Sequence, residues 1–130
     1  MKLLLDTQCW LWTFSSPERL NPAALNAISH ESNEILLSVA SIWELGIKVA
    51  IGKLSLPEPI DAYLAKRLTS LRAKPLNITA THALRAASLP PHHKDPFDRL
   101  LIAQAQTENI TIVTTDLAFN QYTGTLILWA

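Results

Sequence analysis

Four carboxylates stand in places that a solvated surface does not call for. Asp6 ends the apolar run "KLLL" and precedes "TQCWLW", Glu44 sits inside "SIWELGIK", Asp98 is the second acid of "DPFDR", and Asp116 follows "ITIVTT". A buried carboxylate without a partner is costly or is forced to protonate, so each of these needs a compensating group. Local partners exist for all of them. Asp6 can cap the helix that opens after it, worth about 1 kcal/mol, and Glu44 can pair with Lys48 one helical turn on. Asp98 can close a capping box with Asp95, and Asp116 can start the turn before "LAF". The sharper alternative is a divalent cation shared by all four, because converging like charges repel and raise one another's pKa values unless neutralised. All-oxygen ligation suits Mg²⁺ or Mn²⁺. Such a site activates water and steadies the leaving oxygen of a phosphodiester.

That chemistry requires a scaffold that gathers distant parts of the chain. Apolar runs alternate with helical patterns, which predicts α/β architecture with a largely parallel sheet. Strands are expected at "KLLL", "EILLS", "KPLNI", "ITIVTT" and "TLILW". Helices are expected after Asp6, at "NPAALNAISHES" behind an Asn cap and a first-turn proline, and at "SVASIWELGIKVAIGKL" with Gly52 as its stop. Further helices are expected at "IDAYLAKRLTSLR", "TATHALRAASL" and "DPFDRLLIAQAQTEN". "PPHHKDP" must be a loop. In a doubly wound parallel sheet, residues just past the carboxyl ends of the strands share one crevice. If the strands are neighbours, Asp6, Glu44, Asp98 and Asp116 meet there. Asp95 precedes Pro96, which pushes it out of helical geometry and makes it the expected cap, leaving Asp98 in the first turn.

Composition narrows the classes. With 130 residues, 48% of them hydrophobic, the chain is expected to form one domain, 1–130, around a sizeable core. Cys9 is the lone cysteine, so no internal disulfide or cysteine-based zinc cage is possible, which fits a reducing compartment. The opening apolar run is cut at Asp6, too short for a signal-peptide core, and no stretch reaches the roughly 20 apolar residues of a membrane span. The expected location is the cytoplasm. Net charge is zero, but no acid lies between Asp61 and Asp95, where Lys66, Arg67, Arg72, Lys74, Arg85 and Lys94 fall with His82, His92 and His93. Those residues are either a face for a polyanion or a solvated basic helix surface. His92 and His93 are adjacent and cannot both face one cation from a regular element, and no third histidine lies at ligand spacing, so no zinc site is expected. Three glycines make no phosphate loop.

Taken in order, "LLDT", "SIWELGIKVAIGKL", "HHKDPFDRLLIAQA" and "IVTTD" resemble the PIN-domain ribonucleases, in particular the VapC-like toxins of toxin–antitoxin pairs. The match spans nearly the whole chain. It implies a three-layer α/β/α PIN fold with a mainly parallel central sheet, and a Mg²⁺- or Mn²⁺-dependent endoribonuclease that cuts RNA with a metal-activated water and no covalent intermediate. It also implies a cognate antitoxin and a homodimer. The family's metal-binding acids fall on Asp6, Glu44, Asp98 and Asp116, and its supporting hydroxyl on Thr114. Lys48 reaches toward the phosphate or holds Glu44, and Arg99 contacts RNA or pairs with an acid. The sequence departs from the pattern at Gln8, where many relatives carry histidine. Trp10, Trp12 and Trp43 either fill the core, the default for each, or line the antitoxin groove. Two rivals are weaker. A phosphoacceptor signalling domain needs paired acids after the first strand and a lysine after the last, and "TLILWA" has no lysine. A catalytically silent scaffold binding RNA or protein would lack metal-dependent cleavage.

Overall fold

The computed structural model describes residues 1–130. Its strands are β1 (Lys2–Leu5), β2 (Glu34–Ser38), β3 (Lys74–Leu76), β4 (Thr111–Thr114) and β5 (Ile127–Trp129). The helices are α1 (Thr7–Ser15), α2 (Pro22–Ser29), α3 (Val39–Ala50), α4 (Ile60–Ser70), α5 (Ala80–Ser88) and α6 (Pro96–Glu108). All five strands are parallel, in the order β3-β2-β1-β4-β5. The chain grows outward from β1 in one direction and then returns to its other side, so the strand order reverses between β1 and β4. Ligand crevices of doubly wound sheets open at that kind of reversal.

The period-2 alternation of side chains divides the core into two layers. Leu3, Leu5, Ile35, Leu37 and Val113 face one side, where they pack with Cys9, Trp10, Ile28 and Leu45 from α1, α2 and α3. Leu4, Leu36 and Ile112 face the other and meet Leu101, Ile102 and Ala105 of α6. The central strands read as unbroken apolar runs because both faces are covered, as parallel sheets require. This is the expected α/β/α layering. One short 3-10 turn, Pro17–Arg19, has no counterpart among the expected elements, and the segment before β5 forms another, Leu117–Gln121.

Helix ends follow from local chemistry. Asn21 caps α2 by accepting from the Ala24 amide at 2.8 Å, and α3 ends at Ala50 with Gly52 at φ +77°, a left-handed conformation that glycine adopts without a Cβ penalty. Buried Gln104 of α6 accepts from the Ser38 hydroxyl at 2.6 Å and donates to the Asn77 carbonyl at 3.2 Å. Those bonds pin α6 against the carboxyl ends of β2 and β3.

The basic middle of the chain is neutralised in part. Arg67 contacts Glu58 at 2.8 Å, Lys66 reaches the same carboxylate at 3.4 Å, and Lys74 lies 3.7 Å from Glu34. His82 is buried and completes the capping box of α5 with Thr79. Of the tryptophans, only Trp10 meets the core expectation in full. Trp12 is half-buried beside a groove of about 380 Å³, and Trp43 is 62% exposed because it lies on the face of α3 that turns away from Leu45. No helix is long and apolar enough to cross a membrane.

Leu4 is fully buried in the central strand, and its neighbours on both sides are fixed by backbone pairing. Leu4→Ala is expected to destabilise the fold by about 2–5 kcal/mol, measured as a lowered urea midpoint with an unchanged slope.

Candidate active site

Each candidate acid is delivered by a different element to the carboxyl edge of the sheet. Asp6 follows β1, Glu44 projects from α3, Asp98 is the third residue of α6, and Asp116 stands two residues past β4. All four line one polar cavity of about 290 Å³, together with Thr7, Gln8, Leu11, Lys48, Asp95 and Thr115.

The local and the shared readings of these acids turn out not to compete. Asp6 caps α1, its Oδ1 accepting from the Cys9 amide at 2.7 Å, while Oδ2 accepts from the Thr114 hydroxyl at 2.6 Å. Thr114 in turn accepts from the Asp116 amide at 3.0 Å, so a single hydroxyl joins two of the acidic segments. Asp116 also caps the turn that follows it, accepting from the Ala118 amide at 3.0 Å. Glu44 Oε1 accepts from the Thr7 hydroxyl at 2.7 Å, and Oε2 lies 3.1 Å from Lys48 Nζ. Lys48 therefore holds Glu44, while its side chain stays 42% exposed at the cavity.

Asp95 and Asp98 separate as the proline between them dictates. Asp95 is the cap of α6, accepting from the Phe97 amide at 2.9 Å and the Asp98 amide at 3.3 Å. The capping box is not closed, because the Asp95 amide points at His93 Nδ1, 3.4 Å away, and not at Asp98. Asp98 instead turns to His93 Nε2 at 2.9 Å.

Arg99 corrects an expectation. It contacts no acid and projects no donor toward the cavity. Nη1 donates to the carbonyls of Pro90 and His93 at 3.0 and 3.2 Å, and Nη2 to those of Ala86 and Leu89 at 2.8 and 2.9 Å. The free carbonyls at the end of α5 and in the following loop attract the nearest planar cation. Arg99 thus ties down the loop that carries His93.

His93 itself and Thr7 were not among the expected site residues. The His93 Nε2 atom also lies 3.7 Å from Asp116 Oδ2, and its neighbour His92 turns away to stack edge-on against Tyr122. Only one of two adjacent histidines reaches the acids, as adjacency requires, and the sequence held no sign of which. Thr7 sits in the "LLDT" run, where a hydroxyl beside the first acid was available as a signal.

Electrostatics bear the mark of crowding. Burial, then the neighbouring charges of Asp95, Asp6 and Glu44, push Asp98 up to about 7, against a smaller opposing pull from His93. Burial also raises Asp6, although the bonds from Thr114 and Cys9 work the other way. The Cys9 thiol is raised mainly by burial and then by Asp6, so it is no nucleophile at neutral pH. A set of hard carboxylate oxygens around one polar cavity, with the ionised forms of Asp6 and Asp98 disfavoured by burial, fits a divalent cation.

The profile of the PIN domain matches residues 3–124. The chain belongs to the PIN-domain family. Among PIN relatives, Ribonuclease VapC22 of Mycobacterium tuberculosis is 31% identical over 115 residues, covering 88% of this chain and 86% of the relative. Ribonuclease VapC16 of the same organism is 43% identical over 60 residues, 45% of this chain and 43% of the relative. Among solved structures, VapBC2 from Rickettsia felis, crystallised with a promoter DNA fragment, superposes with a TM-score of 0.76 at 18% identity, covering 99% of this chain and 98% of the other. DNA-bound VapBC from Salmonella typhimurium gives 0.71 at 20% identity, with 99% and 98% covered. These similarities establish the PIN fold, with its α/β/α layers.

The crowding of this PIN site has a sign that can be checked without metal. Folded Asp98 keeps its proton up to about pH 7, whereas its ordinary value is 3.8. Between those values the folded state binds more protons than the unfolded one, so stability is full below the window and is lost as pH rises through it. In EDTA, the melting temperature of the wild type should fall across this window relative to Asp98→Asn, and the variant should be the more stable above it. Parallel melting curves for the two proteins would contradict this.

Proposed function

We propose that residues 1–130 form one catalytic domain that hydrolyses RNA phosphodiesters internally, as the toxin of a toxin–antitoxin pair acting in the cytoplasm. The observation that carries this reading is the convergence of Asp6, Glu44, Asp98 and Asp116 on one cavity in a PIN fold. The ribonuclease names of VapC22 and VapC16 support RNA as the substrate class.

Asp6, Glu44, Asp98 and Asp116 would hold Mg²⁺ or Mn²⁺. When bound, the cation supplies a water acidic enough to give hydroxide near neutral pH and a positive charge for the leaving oxygen. Asp6 is held by the Thr114 hydroxyl and the Cys9 amide, which fix its two oxygens before any ligand arrives. Thr114 is a supporting residue. Lys48 holds Glu44 in place, and its partly exposed side chain borders the same cavity, where it would meet an incoming phosphate. Water attacks phosphorus and the 3′ or 5′ oxygen leaves, so no enzyme nucleophile is needed.

An antitoxin partner is supported by the neighbouring structures, which include a toxin–antitoxin complex from Klebsiella pneumoniae with a TM-score of 0.64 at 20% identity. The groove beside Trp12, where Leu11, Phe14 and Leu54 stand among Arg19 and Arg67, offers a seat with apolar and cationic sides for such a partner. A homodimer completes the reading.

EDTA is expected to stop cleavage of an RNA substrate, Mg²⁺ or Mn²⁺ to restore it, and Ca²⁺ to restore it poorly because calcium takes longer, looser coordination. Full activity in excess EDTA would sink the metal mechanism. The two acids of "DPFDR" give a finer test. Asp98→Asn should lose at least about 100-fold in rate, roughly 2.7 kcal/mol of transition-state stabilisation, whereas Asp95→Asn should cost little because asparagine also caps well. The reverse outcome would redraw the site around Asp95.

A further inference from the structure

We propose that His93 is a positioning residue of the acidic site, donating from Nε2 to the Asp98 carboxylate so that Asp98 is held beside Asp116 in the orientation that receives a cation. The inference rests on the metal-dependent reading above and adds a residue to it.

The imidazole is placed from several directions. Its backbone carbonyl accepts from Arg99 at 3.2 Å and from the Tyr122 hydroxyl at 3.5 Å. Its ring lies edge-on to Phe119, with centroids 6.2 Å apart. Arg99 is itself anchored by three further carbonyls, those of Ala86, Leu89 and Pro90. A loop residue held this firmly can aim a ring nitrogen at a fixed point.

That point lies between two carboxylates. Nε2 is 2.9 Å from Asp98 Oδ2 and 3.7 Å from Asp116 Oδ2, and the three atoms fall within 4.8 Å of one another. Nε2 is sealed from solvent yet has no well-aligned hydrogen-bond partner, so a small turn of the Asp98 carboxylate would complete the bond. A buried donor left short of a partner is costly, which drives Asp98 toward it. Asp98 sits at the third residue of α6, where nothing else fixes its carboxylate, and its side chain would otherwise be ordered only by the cation.

The tautomer decides between donor and ligand. Nδ1 faces the Asp95 amide N–H at 3.4 Å, so it accepts and the ring proton belongs on Nε2. Direct coordination through Nε2 would need the lone pair there and the proton on Nδ1, opposed to another N–H. His93 therefore acts through Asp98. Groups that orient metal ligands in this way typically alter affinity by about 10–100-fold when removed.

The test uses the metal-free full chain, with Mn²⁺ alone as probe, its free concentration read by electron paramagnetic resonance. His93→Phe keeps a ring beside Phe119 and removes the donor; His93→Gln places an amide N–H near the Nε2 position. His93→Phe should bind Mn²⁺ at least roughly tenfold more weakly than wild type. His93→Gln should recover most of the affinity, and both should melt in EDTA within a few degrees of wild type. Wild-type affinity in His93→Phe would overturn the proposal, as would equally weak binding by a folded His93→Gln. Should His93→Phe fail to fold, His93→Leu serves as the donor-free variant: Mn²⁺ binding at least roughly tenfold weaker than wild type supports the proposal, and wild-type affinity contradicts it. Electron spin echo modulation of the wild-type Mn²⁺ complex should show no directly bound nitrogen, and a strong nitrogen coupling that vanishes in His93→Gln would make His93 a ligand. A wild-type protein that binds no Mn²⁺ would instead overturn the metal reading itself, whatever the variants do.

Discussion

The carboxylate of Asp6, buried at the end of the central strand, must be satisfied without being neutralised. Its two oxygens take donors from opposite sides, the Cys9 amide that opens α1 and the Thr114 hydroxyl that ends β4. Each bond ties a local feature to a distant one. Through Thr114 the Asp6 carboxylate is linked to the Asp116 amide, so the ends of β1 and β4 are locked side by side where the strand order reverses. α6 is pinned to the same edge from the far side by Gln104. The acids do not meet by chance placement of loops. They meet because a doubly wound sheet puts the ends of β1 and β4 and the start of α6 at one rim.

This arrangement makes the site strained until something positive enters. Asp98 shares that strain with Asp6, raised by burial and by three neighbouring acids, while the helix N-terminus and His93 work to keep it ionisable. Caps serve two purposes here. Asp6 and Asp116 satisfy free helix or turn amides while their carboxylates line the cavity. A residue that looks structural by its bonds can therefore sit in a site, and the converse error occurs at Arg99, whose charge beside an acidic motif serves only the carbonyls of a loop.

Much of the fold was legible because its signals were local. Apolar runs bounded by turns marked every strand, and Asn21, Asp95, Pro96 and Gly52 marked helix ends through capping and backbone rules that act within a few residues. The four acids were legible for a related reason: once strands and helices are placed, a parallel sheet leaves few positions for the residue after each strand. What escaped depended on loop conformation. His93 reaches the acids only because Arg99 and Tyr122 hold its carbonyl, and no pattern in "PPHHKDP" says which histidine turns inward. Trp43 escaped because helical periodicity shows that α3 has an apolar face, not that one large apolar residue lies off it. The basic middle was legible only as two alternatives, since Glu34 and Glu58, which pair with Lys74, Lys66 and Arg67, lie outside the acid-free stretch.

The central claim is that these carboxylates form a cation site at the carboxyl edge of the sheet. Diffraction at the manganese edge from crystals grown with Mn²⁺ tests it most directly. The account predicts a strong anomalous peak inside the cavity, within bonding distance of carboxylate oxygens from Asp6, Asp98 and Asp116. A fully occupied peak elsewhere on the protein, with these three carboxylates left in their present orientations and bonded only to the protein, would contradict it.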